Sequence, residues 1–352
     1  MTGVVDVLMS TPPSRPGDNA YLRRLMTGTS ADVRVRPLTA GAALRGRPDV
    51  FHVHWPHQLY RAATPAKARI KRVLTGLLLR RVRRLGIPVV LTVHNRRSHE
   101  EETVGERRIL SRLEDLIDVR ILLNEEPRDD LDDAVVVLHA HYRDDLGVLP
   151  APAPAPDHDV LLFGLLRPYK GIERLLSAAE QSGATLTVTG AALYPDYAEN
   201  LSAAARDIPG ARVLIGHRDA ADLTREILAH RLVCLPYPGM YNSGALLHAL
   251  SAGRPVLAPR TGANEALQRE VGPEWLHLYD GPLTGEILAG ALAARMPEGA
   301  CPLSRRDPAA GVALHEGIYR SLSEWAASGR VGSARDAVLS DPALRAHSPR
   351  NR

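Results

Sequence analysis

The chain has 352 residues, enough for two domains at roughly 150 residues each. Its hydrophobic fraction of 45%, charged fraction of 24% and net charge of +4 exclude a mainly disordered, collagen-like or integral-membrane protein. Two cysteines, Cys234 and Cys301, exclude a disulfide framework and a four-cysteine zinc site, and fit small core or surface residues in a reducing cytoplasm.

In chain order, Val4 to Met9 reads as a strand, and Asn19 as the cap of a helix through Met26. Short strands follow at Val33 to Val35 and Asp49 to Val53. A helix over Ala66 to Leu85 precedes a buried strand over Pro88 to Val93, which ends in His94-Asn95. Arg107 to Leu116 reads as helix, and Arg120 to Leu123 and Ala134 to Leu138 as strands. Strands alternating with helices imply βαβ units and a parallel sheet. An alternating Ala-Pro run, Pro150 to Pro156, then favours an extended spacer and marks the expected domain boundary.

The alternation resumes with strands at Val160 to Phe163, Leu186 to Val188, Val213 to Ile215, Leu232 to Leu235 and Pro255 to Leu257. Helices are expected over Ile172 to Gln181, Tyr197 to Ala205, Ala221 to Ala229, Ser243 to Ser251 and Asn264 to Glu270. A late amphipathic helix spans about Ala313 to Trp325. The expected organisation is a first α/β domain over 1–150, a second over 151–312, a helix over 313–328 packing back on the first domain, and a loosely ordered polar tail over 329–352. The two Rossmann-like domains are expected to face a cleft.

Three signals carry chemistry. Phe163-Gly164-Leu165-Leu166-Arg167-Pro168-Tyr169-Lys170-Gly171 follows a strand and opens a helix. Ligands of open α/β sheets bind outside the carboxyl ends of strands, and helix N-termini attract phosphate. Arg167 offers a two-pronged donor and Lys170 a point charge, both expected in a wet cleft, a pairing suited to a diphosphate. Of 44 basic residues only Lys67, Lys71 and Lys170 are lysines, which makes that position informative. The second signal is LPYPGMYNSGALLHALSAGRPVL from Leu235 to Leu257. Asn242 or Ser243 caps a helix there, and free N–H groups at Ser243, Gly244 and Ala245 make a second anion pocket, with His248 one turn on.

The third signal is basic. Between Phe51 and His99 there is no acidic residue, while Arg61 to Arg84 carries nine basic ones beside Ile70, Val73, Leu74, Leu77, Leu78 and Leu79. Such a helix fits an anionic membrane surface or an arginine-rich solvated face over a core-facing stripe. With 4% aromatics and no recognition motif, nucleic acid is not an expected partner. No stretch reaches the roughly 18 apolar residues of a spanning helix, and no signal peptide is read at the N-terminus. The expected location is cytoplasmic, peripheral at the inner membrane face if the basic helix binds lipid.

In order and spacing, the first two segments resemble the donor-binding lobe of group 1 GT-B nucleotide-sugar glycosyltransferases. Gly164 to Gly171 is similar to that family's Gly-Arg-Leu-x-x-x-Lys-Gly turn, and Gly253-Arg254-Pro255-Val256 to its Gly-x-Pro-Val. Thr261-Gly262-Ala263-Asn264-Glu265 resembles the segment after that strand. Asp49 to Pro56, Val90 to Asn95 and His139 to Asp144 are similar to first-lobe motifs. The resemblance spans about residues 1 to 325. It implies sugar transfer from a nucleotide diphosphate sugar to a glycolipid, polysaccharide or small-molecule acceptor. Donor binding falls to Arg167, Lys170, Asn242, Ser243, Gly244, His248 and Glu265. Where an acceptor proton must be removed, His94 is the first candidate base and Asp18 the second.

The family's paired glutamates fall on Met240 and His248, so nucleotide-sugar transfer is better supported than a retaining mechanism. A catalytically degenerate scaffold or binding subunit and a nucleotide-sugar epimerase are the alternatives. No cofactor or metal is expected beyond the nucleotide-sugar co-substrate. His139 and His141, two apart and so on one face of a strand, lack a third ligand at metal-binding spacing.

Overall fold

The computed structural model describes residues 3–11, 19–44, 46–95, 102–126, 131–147 and 155–346. The chain opens with β1 (Val5–Met9), α1 (Ala20–Thr27), β2 (Val33–Pro37), α2 (Ala40–Leu44), β3 (Val50–Val53), α3 (Pro65–Leu85), β4 (Val89–Val93), α4 (Val104–Glu114), β5 (Ile117–Leu122) and β6 (Ala134–Val136). It continues with β7 (His158–Phe163), α5 (Ile172–Ser182), β8 (Leu186–Gly190), α6 (Pro195–Arg206), β9 (Ala211–Ile215), α7 (Ala220–Ala229) and β10 (His230–Cys234). Then come α8 (Gly244–Ser251), β11 (Val256–Pro259), α9 (Gly262–Val271), β12 (Leu276–Tyr279) and α10 (Gly285–Ala293). The last elements are α11 (Pro308–Ala327), α12 (Ala334–Leu339) and α13 (Pro342–Arg345). Two compact units result, one of 1–139 with 306–352 and one of 140–305.

Each unit holds a six-stranded parallel sheet. The first is ordered β2-β1-β3-β4-β5-β6 and the second β12-β11-β10-β7-β8-β9. In the first unit the chain goes outward from β1 to β2 and returns to lay β3 on the other side of β1. The second does the same, with β10 returning beside β7. These reversals, between β1 and β3 and between β7 and β10, are the points where parallel sheets hold ligands at their carboxyl ends.

Alternate strand residues feed opposite layers, as the two-residue period requires. In the first unit Val7 and Met9 pack with Tyr21, Leu25, Ile318 and Tyr319. Leu8, Phe51 and Val53 pack with Leu78, Leu79, Ile109 and Leu113. Helix ends follow the sequence chemistry. Asn19 Oδ1 accepts from Tyr21 N at 2.9 Å, and Thr103 with Glu106 forms a reciprocal cap on α4.

Three expectations about organisation need correcting. The units divide at His139/Ala140, not at the Ala-Pro run, of which 150–154 lies outside the described residues. The reason is packing: Tyr142 stacks on His248, and Leu146 joins the second unit's core. The second unit ends at Arg305 instead of 312, and α11 begins at Pro308, capped by Asp307. The polar tail is helical over α12 and α13, because Ala334, Val338 and Leu344 bury themselves in the first unit's core. Helix α2, strand β12 and helix α10 were also unexpected; each is short or rich in Ala and Gly. No described helix is long and apolar enough to cross a membrane.

Candidate functional site

In the second unit the two sequence motifs meet at the β7/β10 reversal. Strand β7 ends at Phe163, and the chain turns through Gly164, whose φ of 104° suits glycine. Gly171, at φ 67°, then opens α5 with no side-chain cap, which leaves the helix N–H groups available. A Cβ on Gly171 would lie 3.2 Å from the Pro236 carbonyl, so the β7 and β10 loops touch here.

Lys170 is only 8% exposed, not in open water as the sequence reading expected. Its Nζ lies 3.4 Å from where a Gly164 Cβ would stand and 5.2 Å from the Tyr237 ring centre. Burial, with Arg167 adding like charge, lowers its pKa to about 8. Arg167 Nε is buried without a partner. Tyr237 OH lies 3.0 Å from Ser243 Oγ, which in turn accepts from Leu246 N at 3.2 Å and caps α8. Arg167, Lys170, Ser243 and the α8 N-terminus therefore belong to one connected site with a surplus of positive charge and unpaired N–H donors, chemistry that suits a diphosphate.

The remaining donor-side residues divide. His248, on α8, is stacked on Tyr142 with ring centres 5.2 Å apart and planes 5° apart. Burial lowers its pKa to about 4, opposed by the Asp145 charge, and its Nε2 is buried without a partner. Tyr142 was not singled out by the sequence beyond its HYRD segment; its hydroxyl sits 2.8 Å from where a Gly244 Cβ would stand. Met240 is a buried core residue. Asn242 is half-buried in the loop before the cap. Glu265, in the first turn of α9, which Thr261 caps, joins a surface ion-pair set, 3.4 Å from Arg260, which also binds Asp280 at 3.1 Å.

In the first unit, histidines gather at the carboxyl ends of β1, β3 and β4. His54 Nδ1 lies 3.0 Å from His94 Nε2, and Trp55 stacks on His94 at 4.1 Å. His52 bonds Tyr319 OH at 2.7 Å and Thr92 Oγ1 at 2.8 Å. His315 donates from Nδ1 to the Gly311 carbonyl at 2.7 Å, so a neutral ring accepts from Tyr21 OH at Nε2, 2.9 Å away. Burial holds His94 down at about 3 and His315 at about 4, and pushes His52 and His54 well below the usual value. All four are neutral at pH 7. His54 Nε2 and Thr11 Oγ1 are buried without partners. Asp18 lies outside the described residues.

The expected shared face of His139 and His141 does not form, since neither is in a strand. His139 lies beside the Tyr21 ring, and His141 Nδ1 accepts from Arg143 N in the other unit. Among the described residues no group of three His, Cys, Asp or Glu side chains could hold a metal ion.

No family model matches the chain. It is 36% identical over 339 residues to the GDP-mannose:glycolipid 4-β-D-mannosyltransferase of Xanthomonas campestris pv. campestris, covering 94% of this chain and 95% of that one. Among solved structures, sucrose-phosphate synthase from Thermosynechococcus elongatus matches with a TM-score of 0.57 at 16% identity, over 97% of this chain and 98% of that one. Anabaena HepE, solved with UDP, matches with a TM-score of 0.55 at 16% identity, over 92% of this chain and 99% of that one. The paired parallel sheets, the basic turn after β7 and this relationship along nearly the whole chain lead to one conclusion: the chain belongs to the family of these mannosyltransferases and is a GT-B glycosyltransferase that moves a sugar from a nucleotide diphosphate sugar to an acceptor.

Proposed function

We propose that the donor is GDP-mannose, the acceptor a glycolipid, and the outcome inversion. The observation that carries this reading is the similarity over 94% of the chain to a GDP-mannose:glycolipid 4-β-D-mannosyltransferase. GDP-mannose holds its sugar through an α-phosphate bond, so a β-linked product has the inverted anomeric centre. Met240 and His248 support the same reading, because neither supplies the carboxylate that the resemblance expects at its position.

In the proposed step an acceptor hydroxyl oxygen bonds to the anomeric carbon as the bond to the β-phosphate oxygen breaks. GDP leaves with the electron pair. Arg167, Lys170 and the N-termini of α5 and α8 stabilise the growing diphosphate charge, so no divalent metal is required. Asn242, Ser243, Gly244, His248 and Glu265 complete the proposed donor set, with the unpaired His248 Nε2 available to a sugar hydroxyl.

The acceptor proton passes to His94, with Asp18 the second candidate. An imidazole held near 3 is a weak base, well below the range where general bases act best. It suffices when transfer is late: once the new bond forms, the acceptor oxygen is an oxonium far more acidic than any imidazolium.

Thermal shift against a panel of nucleoside diphosphates tests donor choice. GDP at about 100 times its dissociation constant should stabilise the protein by about 2.7 kcal/mol, and UDP and ADP at the same concentration by less. An EDTA-treated sample should transfer sugar at the untreated rate. A GDP response equal to UDP, or activity restored only by Mg²⁺ or Mn²⁺, would overturn the donor and metal parts respectively. A scaffold subunit would bind GDP without turnover, and an epimerase would convert the donor with no acceptor present.

A further inference from the structure

Helix α3 has two apolar faces. Leu78, Leu79 and Val82 are buried against the first unit's sheet, and Ala68 and Thr75 are buried on the same side of the helix. On the opposite side Ile70, Val73, Leu74 and Leu77 are 61%, 59%, 57% and 51% exposed. Their spacing of three and four residues makes one continuous stripe. The same line continues, four and seven residues after Leu77, into Arg81 and Arg84. The helix carries eight Lys or Arg residues and no acid. Six of these, Lys67, Arg69, Lys71, Arg80, Arg83 and Arg84, are exposed. Among the described residues, none of the eight is ion-paired; the nearby Glu106 on α4 is taken by Arg61 at 3.2 Å.

We infer that this outer face docks the protein flat on an anionic lipid bilayer, with Ile70, Val73, Leu74 and Leu77 inserted among the acyl chains and the cations on phosphate headgroups. An exposed apolar stripe flanked by cations is matched to a surface that is apolar inside and negative outside. A second copy of the chain is a poor fit, because it would bring two sets of cations together. A spanning role is excluded by the charge of the helix. The inference rests on the glycolipid reading for the partner's identity: an acceptor with a lipid tail resides in a bilayer, and docking brings the first unit to it.

The test is flotation of the full chain with vesicles of phosphatidylcholine alone or mixed with phosphatidylglycerol, free of any acceptor. The wild type should float only with the anionic vesicles and should release as the Debye length falls from about 8 Å at 0.15 M salt to about 3 Å at 1 M. Each surface cation contributes about fivefold to partitioning. Arg80→Gln, Arg83→Gln and Arg84→Gln together should therefore weaken partitioning ~100-fold. Leu74→Ser with Leu77→Ser should also abolish flotation while keeping the wild-type Tm and GDP binding. No flotation, equal flotation with neutral vesicles, or a serine variant that floats like wild type would overturn the inference. So would a wild-type dimer that the serine variant dissociates, since that assigns the stripe to a second copy. Transfer to detergent-dispersed glycolipid separates the two claims. A serine variant that no longer floats but transfers normally in detergent supports both, whereas a wild type that floats without transferring leaves docking intact and removes the glycolipid reading.

Discussion

Lys170 is a cation kept in an apolar setting, and its chemistry follows from that. With a pKa lowered to about 8 it is protonated at pH 7, and a bound diphosphate would draw its pKa back up. GDP binding should therefore take up a proton above pH 8, and affinity should fall as pH rises through that value. Lys170→Met keeps the stem and removes the desolvated charge. It should weaken GDP binding by about 1.5–3 kcal/mol without lowering fold stability. Calorimetric titration with GDP checks both, and an unchanged dissociation constant would remove Lys170 from the diphosphate. His94 makes a different prediction. His94→Ala should leave GDP affinity within about twofold and lower turnover by roughly 10²–10⁴-fold, the scale of lost general base catalysis. A near-normal kcat would return His94 to a packing role beside Trp55 and His54.

The loops after β7, β8 and β10 behave as one element-level device. Gly190 closes β8 at φ 152°, and a Cβ there would stand 1.9 Å from the Gly164 carbonyl. Gly190→Ala should displace the Gly164 turn, costing about 1–3 kcal/mol of stability and weakening GDP binding at the same time. Chemical denaturation and GDP titration of the same sample read both, and an alanine variant with unchanged stability would contradict that contact.

The basic turn itself was legible in the sequence because Gly164, Arg167, Lys170 and Gly171 lie in one run after a strand. Gly190 and Tyr142 were not, since their partners lie tens of residues or more away and exist only once the sheets form. The first unit's histidines show the same limit. His94 reads as a strand-end candidate base and His52 and His54 as part of the Asp49 to Pro56 segment, while Tyr21, His315 and Tyr319 arrive on α1 and α11. Helix α3 was legible as basic and amphipathic. The apolar residues of one run read as a single stripe, and only the packing of Leu78, Leu79 and Val82 reveals that Ile70, Val73, Leu74 and Leu77 face outward.

Among the described residues, seven histidines are held below their usual value: His52, His54, His94, His230, His248, His277 and His315. Burial is the leading cause for each. The unfolded chain then binds more protons than the folded one below about pH 6.5, so stability falls on acidification from that point. His94 and His315 should each cost roughly 2 kcal/mol at pH 5 relative to pH 7.5, a large share of a typical total stability. Thermal melts at constant ionic strength should show Tm dropping well above the carboxylate range. A flat Tm between pH 7.5 and 5 would mean that these rings are not buried neutral in solution. The linkage formed in the product reports on the reaction itself. With labelled GDP-mannose and a glycolipid acceptor, label should appear in the lipid extract, released by a β-mannosidase and resistant to an α-mannosidase. Label released by the α-enzyme, or appearing only as free mannose, would contradict the proposed inverting transfer.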